Sequence, residues 1–261
     1  RDLLRHPSGL TYGFLQRTTV DAAYRKRLIG EPLQPGGLGA MLGHLEKLPL
    51  EFSPGTQWNY SVGLDVAGAL VEIVSGQTLG AFFAARIFRP LGMNDTGFCV
   101  PKDRLDRLAA CYYWKNGRLN LYDDGRASVF SRPPALESGG GGLLSTAADY
   151  MRFARLLLGG GTLEDARLLS PKSVALMTMN HLPGSRRMLD MISRTEMFNE
   201  AGYGGIGFGL GVGVTVDVAA TGLAGSAGEY FWGGAAGTYF FNDPVEDMAV
   251  VFMTQVLGAP D

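Results

Sequence analysis

The chain has little of what most hydrolytic and metal-dependent sites are built from. Its 261 residues include two cysteines, three histidines and few lysines. His6, His44 and His181 show no paired spacing and no companion cluster of Cys or carboxylates. That argues against a zinc site and against a Ser-His-Asp triad. No Gly-x-Ser-x-Gly elbow occurs, which argues against an α/β-hydrolase nucleophile. The glycine run Gly139–Gly142 lacks the Gly-Lys-Ser/Thr ending of a phosphate loop, so nucleotide binding is not indicated. A Ser-x-x-Lys motif, in which an amine one helical turn away takes the proton of a hydroxyl, is also missing. Three residues before Lys26, Lys47, Lys102, Lys115 and Lys172 stand Ala23, His44, Cys99, Tyr112 and Leu169.

Other absences bound the setting. A net charge of −2 gives no electrostatic case for nucleic acid or an anionic membrane as partner. No apolar run reaches the ~18 residues of a membrane span. The opening Arg1-Asp2-Leu3-Leu4-Arg5-His6 lacks the hydrophobic stretch of a signal peptide. Cys99 and Cys111 can pair on arithmetic alone but read as reduced thiols, and a cytoplasmic location is the expectation. Because the first residue is Arg, a further N-terminal segment of the same protein is expected upstream.

What is present describes a globular chain with a substantial core, since hydrophobic residues make up 46% and charged residues 18%. Its 38 glycines, many in clusters, mark places where backbone sets the geometry. Residues 1–12 read as a helix end running into a Pro-Ser-Gly turn. Residues 36–48 predict a helix with Leu38, Met41, Leu42 and Leu45 on one face. From Leu64 a second pattern places Leu64, Ala67, Leu70, Val71 and Val74 at helical spacing and stops at Gly76. Thr78 is set to cap a helix over 79–88 that ends before Pro90. Asn116-Gly117 predicts a hairpin between Ala110–Trp114 and Arg118–Tyr122. After the glycine run, Ser145 or Thr146 caps a helix whose core face is Tyr150, Phe153, Ala154, Leu157 and Leu158. Ser170 caps a short one starting at Pro171. An irregular polar stretch covers 183–203. The period then changes, and runs at 206–216, 227–232, 237–242 and 247–254 have the spacing of an antiparallel meander, with no helix covering the last strand. The expected class is α+β: a mainly helical region over 1–204 and antiparallel strands over 205–261.

Two short elements carry the chemistry. Tyr60-Ser61-Val62 follows a Pro-Gly turn and precedes a helix, a place where a side chain is held rigidly. A tyrosine acts as a base only where positive charge lowers its pKa from about 10; alone it is an ordinary half-buried tyrosine. Trp232-Gly233-Gly234-Ala235 lies at a strand edge. Paired glycines there let a ligand approach the backbone and a strand N–H reach a developing oxyanion; alone they are a sheet kink beside a core Trp.

Taken together, these segments resemble the serine β-lactamase and penicillin-binding-protein superfamily, and within it the class C-related esterases known as family VIII carboxylesterases. The resemblance runs through LLRHPSGL, PGTQWNYSVGLDVAGALVEIVSGQTLGAFFAARIFRPLGMNDTGF, SGGGGLLSTAADYMRFARLLLGGG, LLSPKSVALM and FWGGAAGTYFFNDP, in that order. It implies a β-lactamase-like fold in which an antiparallel sheet is flanked by helices, with this chain truncated at both ends. It also implies that Tyr60 is the catalytic tyrosine of a Tyr-x-Asn element, with Val62 in place of the Asn. Trp232, Gly233 and Gly234 stand for Lys-Thr-Gly, and the Ala235 N–H is one half of an oxyanion hole. The nucleophilic Ser and its Lys would lie outside this chain. Trp in place of Lys removes a holder of carboxylates, and Val62 removes an amide partner. The resemblance therefore implies a small neutral ester as substrate, an acyl-serine mechanism, and neither metal nor cofactor. A β-lactamase, a D-alanyl-D-alanine peptidase and a non-catalytic scaffold of the same fold are the alternatives. Oligomeric state is not legible.

Overall fold

A computed structural model describes residues 1–192 and 204–258, so part of the irregular stretch at 183–203 falls outside the described residues. The chain opens with a single turn, α1 (Asp2–Arg5), which ends at His6 in the left-handed conformation, φ 70°. Helix α2 (Thr19–Lys26) starts from a capping box between Thr18 and Asp21. Helix α3 (Gly37–Leu45) buries Leu38 and Met41 as its spacing predicts.

Helix α4 (Gly63–Ser75) stops at Gly76, φ 67°, but buries a different face from the expected one. Gly63, Asp65, Gly68 and Ala69 are inside, whereas Leu70 and Val74 face solvent. Close approach is the reason. A Cβ on Gly63 would lie 2.4 Å from the Leu3 carbonyl oxygen, and one on Gly68 would lie 3.0 Å from Leu79. Small residues let α4 lie against α1 and α5, and that selects the buried face over hydrophobicity.

Thr78 caps α5 (Leu79–Phe83) as expected. The stop before Pro90 does not occur. A π-helical turn at Ala84–Phe88 leads straight into α6 (Arg89–Leu91), whose first turn accommodates Pro90, and the chain leaves at Gly92, φ 65°. Proline is tolerated there because first-turn N–H groups have no partner within the helix.

Strands β1 (Cys111–Lys115) and β2 (Arg118–Asp123) form the expected hairpin, with Asn116 and Gly117 both at positive φ, 53° and 71°. Helix α7 (Ala147–Leu158) is capped by Thr146, while Ser145 pairs with Thr96 instead. It buries Leu156 along with Ala154 and Leu157. A two-residue pair, β3 (Thr162–Leu163) with β4 (Ala166–Arg167), precedes α8 (Pro171–Met177), which Ser170 caps.

The meander follows: β5 (Ile206–Phe208) and β6 (Gly213–Thr215), the short α9 (Val218–Thr221), then β7 (Tyr230–Gly233), β8 (Tyr239–Asp243) and β9 (Met248–Phe252). These five strands pair antiparallel in sequence order, and α7 packs on β8 and β9. The expected final strand to Thr254 ends earlier, at Phe252. Thr254 turns the chain by donating to the Ala236 and Gly237 carbonyls, and β10 (Val256–Leu257) joins β1 in parallel. The sheets are therefore not purely antiparallel, and the α+β class holds.

Candidate active site

The backbone around Tyr60 is fixed on both sides. The Trp58 N–H donates to the Met191 carbonyl at 3.0 Å, Asn59 N–H to His6 O at 3.2 Å, and Val62 N–H to Thr11 O at 3.3 Å. Tyr60 is thus tied to the first dozen residues and to the segment before the meander. Its ring sits in an aromatic nest, with centroids 4.8 Å from His6, 5.0 Å from Tyr12, 5.7 Å from Trp232 and 6.3 Å from Trp58. Phe208 of β5 closes this nest, edge-on to Trp232 at 5.1 Å. The two elements singled out in the sequence therefore meet.

The ring contact also places the Trp232 indole where it lowers the pKa of the Tyr60 phenol. Burial pushes the Tyr60 phenol above its ordinary value; the indole draws it down, and the Asp65 carboxylate nearby pushes it up again. The net displacement is upward, so this phenol keeps its proton at neutral pH unless a cation faces it. His6 supplies none. Burial drops its imidazole to about 3, so the ring is neutral.

Trp232 and Gly233 occupy a local edge. Strand β7 pairs with β6 at Tyr230 and Phe231, while Trp232 and Gly233, among the described residues, pair with β8 alone. Ala235 stands exposed in the turn beyond. The two glycines serve different ends. A Cβ on Gly234 would lie 2.2 Å from Thr238 Oγ1, and the Gly234 N–H already bonds Thr238 O at 2.7 Å, so the turn itself requires glycine. At Gly233 the nearest neighbour of such a Cβ is 3.4 Å away, so the bare backbone leaves room beside the open strand.

The other near-site residues point elsewhere. Val62 is fully buried in the core against Gly30, and Ser61 is fully buried with its Oγ 3.2 Å from His6 Nδ1. Neither side chain lines an open site among the described residues. In extended chain Ser61 turns inward where Tyr60 turns outward, and the α4 start draws Val62 into the core.

Sequence reasoning passed over His6, Tyr12, Asp65 and Phe208. Asp65, in the first turn of α4, is fully buried and accepts from the Ser138 hydroxyl, which in turn accepts from the Gly140 N–H. Its only sequence signal was a charge interrupting an apolar helix pattern.

A fold of helices on an antiparallel meander, with a tyrosine set against the strand that lines the site, defines the β-lactamase class. The family model for Beta-lactamase matches residues 1–261, and the chain belongs to that family. It is 36% identical over 261 residues to Protein Rv1367c of Mycobacterium tuberculosis (strain ATCC 25618 / H37Rv), covering 97% of this chain and 61% of that one. Esterase EstB of Burkholderia gladioli is 30% identical over 275 residues, covering 97% of this chain and 63% of EstB. Among solved structures, EstCE1, described as a hydrolase with promiscuous acyltransferase activity, superposes with a TM-score of 0.78 at 27% identity. That match covers 99% of this chain and 67% of EstCE1. The chain thus spans about three fifths of the curated relatives it matches.

Proposed function

We propose that the whole protein is a serine carboxylesterase acting on small neutral esters through a covalent acyl-serine. The serine and its lysine lie outside residues 1–261. The hydroxyl attacks the ester carbonyl, the alcohol leaves, and water releases the acid. Tyr60 moves the proton between nucleophile, leaving alcohol and water. The Ala235 N–H, beside the open edge of β7, donates to the tetrahedral oxyanion together with the serine's own N–H. The reaction calls for no metal or cofactor.

The observation that carries this reading is Tyr60 packed on Trp232, ring centroids 5.7 Å apart, where β7, among the described residues, pairs on one side only. An indole presents one N–H and an apolar face, so the site lacks at that point the ammonium that would hold a substrate carboxylate. Neutral esters are favoured over anionic amides. Likeness to EstB and EstCE1 supports the same class.

The test is labelling of the full-length protein by a fluorophosphonate, with turnover of a short-chain nitrophenyl ester compared with that of a chromogenic cephalosporin. Ester turnover with little cephalosporin turnover is expected. Failure to label removes the acyl-serine, and a preference for the cephalosporin removes the ester reading. Likeness to EstCE1, described as a hydrolase with promiscuous acyltransferase activity, favours a second reading, in which an alcohol replaces water as acyl acceptor. A transesterification product formed in the presence of added alcohol supports it.

A further inference from the structure

Asp65 is a fully buried carboxylate that takes the Ser138 hydroxyl on Oδ1, while its buried Oδ2 has no hydrogen-bond partner among the described residues. The Tyr12 hydroxyl and Asp65 Oδ2 both face the Gly140 backbone. The spot is tight. A Cβ added to Gly140 would stand 2.6 Å from the Tyr12 hydroxyl oxygen and 3.2 Å from Asp65 Oδ2, and one on Gly139 would stand 2.1 Å from the Leu64 carbonyl oxygen. One carboxylate therefore sits where the opening segment, the first turn of α4 and the glycine loop meet. Placing it in the first turn of a thirteen-residue helix offsets part of its burial.

Tyr12 connects this anchor to the site. Its ring packs on Tyr60 at 5.0 Å and stacks on Phe14 at 4.8 Å on its other side. We propose that Asp65 and Tyr12 are a positioning pair for Tyr60: the Asp65 carboxylate and the Gly140 backbone confine the Tyr12 hydroxyl, and the Tyr12 ring packs the Tyr60 phenol toward Trp232. Among the described residues, the titratable and charged groups facing Tyr60 are His6 and Tyr12 from the opening segment and Asp65 from α4; β7 contributes the neutral Trp232. His6 is neutral with its pKa at about 3, and burial with the Asp65 charge pushes the Tyr12 phenol up, so Asp65 is the charged member of this set. Neutralising it removes a charge that opposes ionisation of Tyr60.

This rests on the esterase reading for its kinetic arm only. In the full-length protein, Asp65→Asn and Tyr12→Phe should lower kcat by roughly ten- to a hundredfold, with KM held within about twofold. Tyrosinate absorbance, taken as the difference from a Tyr60→Phe background, reads Tyr60 without any turnover. In Asp65→Asn its titration should move to lower pH. An unshifted Tyr60 titration in Asp65→Asn overturns the coupling, and wild-type kcat in both variants overturns the positioning role. Should Asp65→Asn not fold, Tyr12→Phe, which keeps the glycine loop anchored, decides on kcat alone. Absence of ester turnover in the wild type sinks the esterase reading instead, and the absorbance arm still stands.

Discussion

Replacing Trp232 by Phe separates the two things the indole does. The indole beside Tyr60 lowers the pKa of its phenol, and the ring packs on Tyr60 at 5.7 Å and edge-on against Phe208 at 5.1 Å. Phe keeps both ring contacts and loses the N–H. The direction is fixed by sign: the indole favours the phenolate, so removing it raises a pKa that burial already raises. Where Tyr60 acts as a base, the acid limb of the kcat/KM profile moves to higher pH. Trp232→Ala loses the N–H and both ring pairs, each worth about 0.5–1.5 kcal/mol, so its stability cost exceeds that of Phe by roughly 1–3 kcal/mol. Urea unfolding of the two variants gives the stability difference, and a pH profile of ester turnover gives the direction of the limb. If Phe and Ala cost the same stability, the aromatic nest is not coupled through Trp232. If Phe leaves the Tyr60 titration and the acid limb in place, the role of the N–H is refuted.

Tyr60→Phe keeps the contacts with His6, Tyr12, Trp58 and Trp232, so the fold should survive while turnover of the full-length protein falls by roughly two orders of magnitude or more; near-normal turnover removes Tyr60 from the mechanism. Tyr24, fully buried, has its phenol pushed up to about 12 by desolvation, against about 10 in the unfolded chain. Between those two values the unfolded chain releases a proton that the folded chain keeps, so this residue's contribution is intact below about 10 and about 3 kcal/mol of it is lost by about 12. Urea unfolding across that window should give Tyr24→Phe a flatter fall in stability than wild type. Gly140→Ala drives a methyl into the Tyr12 hydroxyl and should destabilise by about 1–3 kcal/mol, whereas Gly141→Ala, with open space around its Cβ, should be close to neutral in the same assay.

Local signals with one physical cause were readable in the sequence. Thr78, Thr146 and Ser170 act as caps, and Asn116-Gly117 closes its hairpin, because each needs only its own neighbours. The misreadings arose where a distant neighbour decides. Pro90 stays within a helical path because a π turn precedes it, and Leu70 and Val74 face solvent because Gly63 and Gly68 bring α4 against backbone that its own pattern does not reveal. Strand β10 was missed for the same reason: two residues make no periodic pattern, and their partner β1 lies far upstream.

The site divides along the same line. Tyr60 and Trp232 were legible as motif positions, one after a Pro-Gly turn and one beside paired glycines, yet nothing in either motif states that the two rings meet. The burial of Val62 was not legible because a motif position specifies backbone, while burial is settled by what packs there, here Gly30 with its missing side chain. Asp65 was invisible because a charge within an apolar helix reads as solvated until the Ser138 hydroxyl, at the start of the glycine loop, is seen to donate to it. That loop looked like a failed phosphate cradle. Packing accounts for its glycines instead: a Cβ on Gly139 would stand 2.1 Å from the Leu64 carbonyl oxygen, and one on Gly140 would stand 2.6 Å from the Tyr12 hydroxyl. The glycines that most resembled a ligand loop thus have a packing reason, whereas a Cβ on Gly233 would make only ordinary contact, 3.4 Å from the Tyr239 ring.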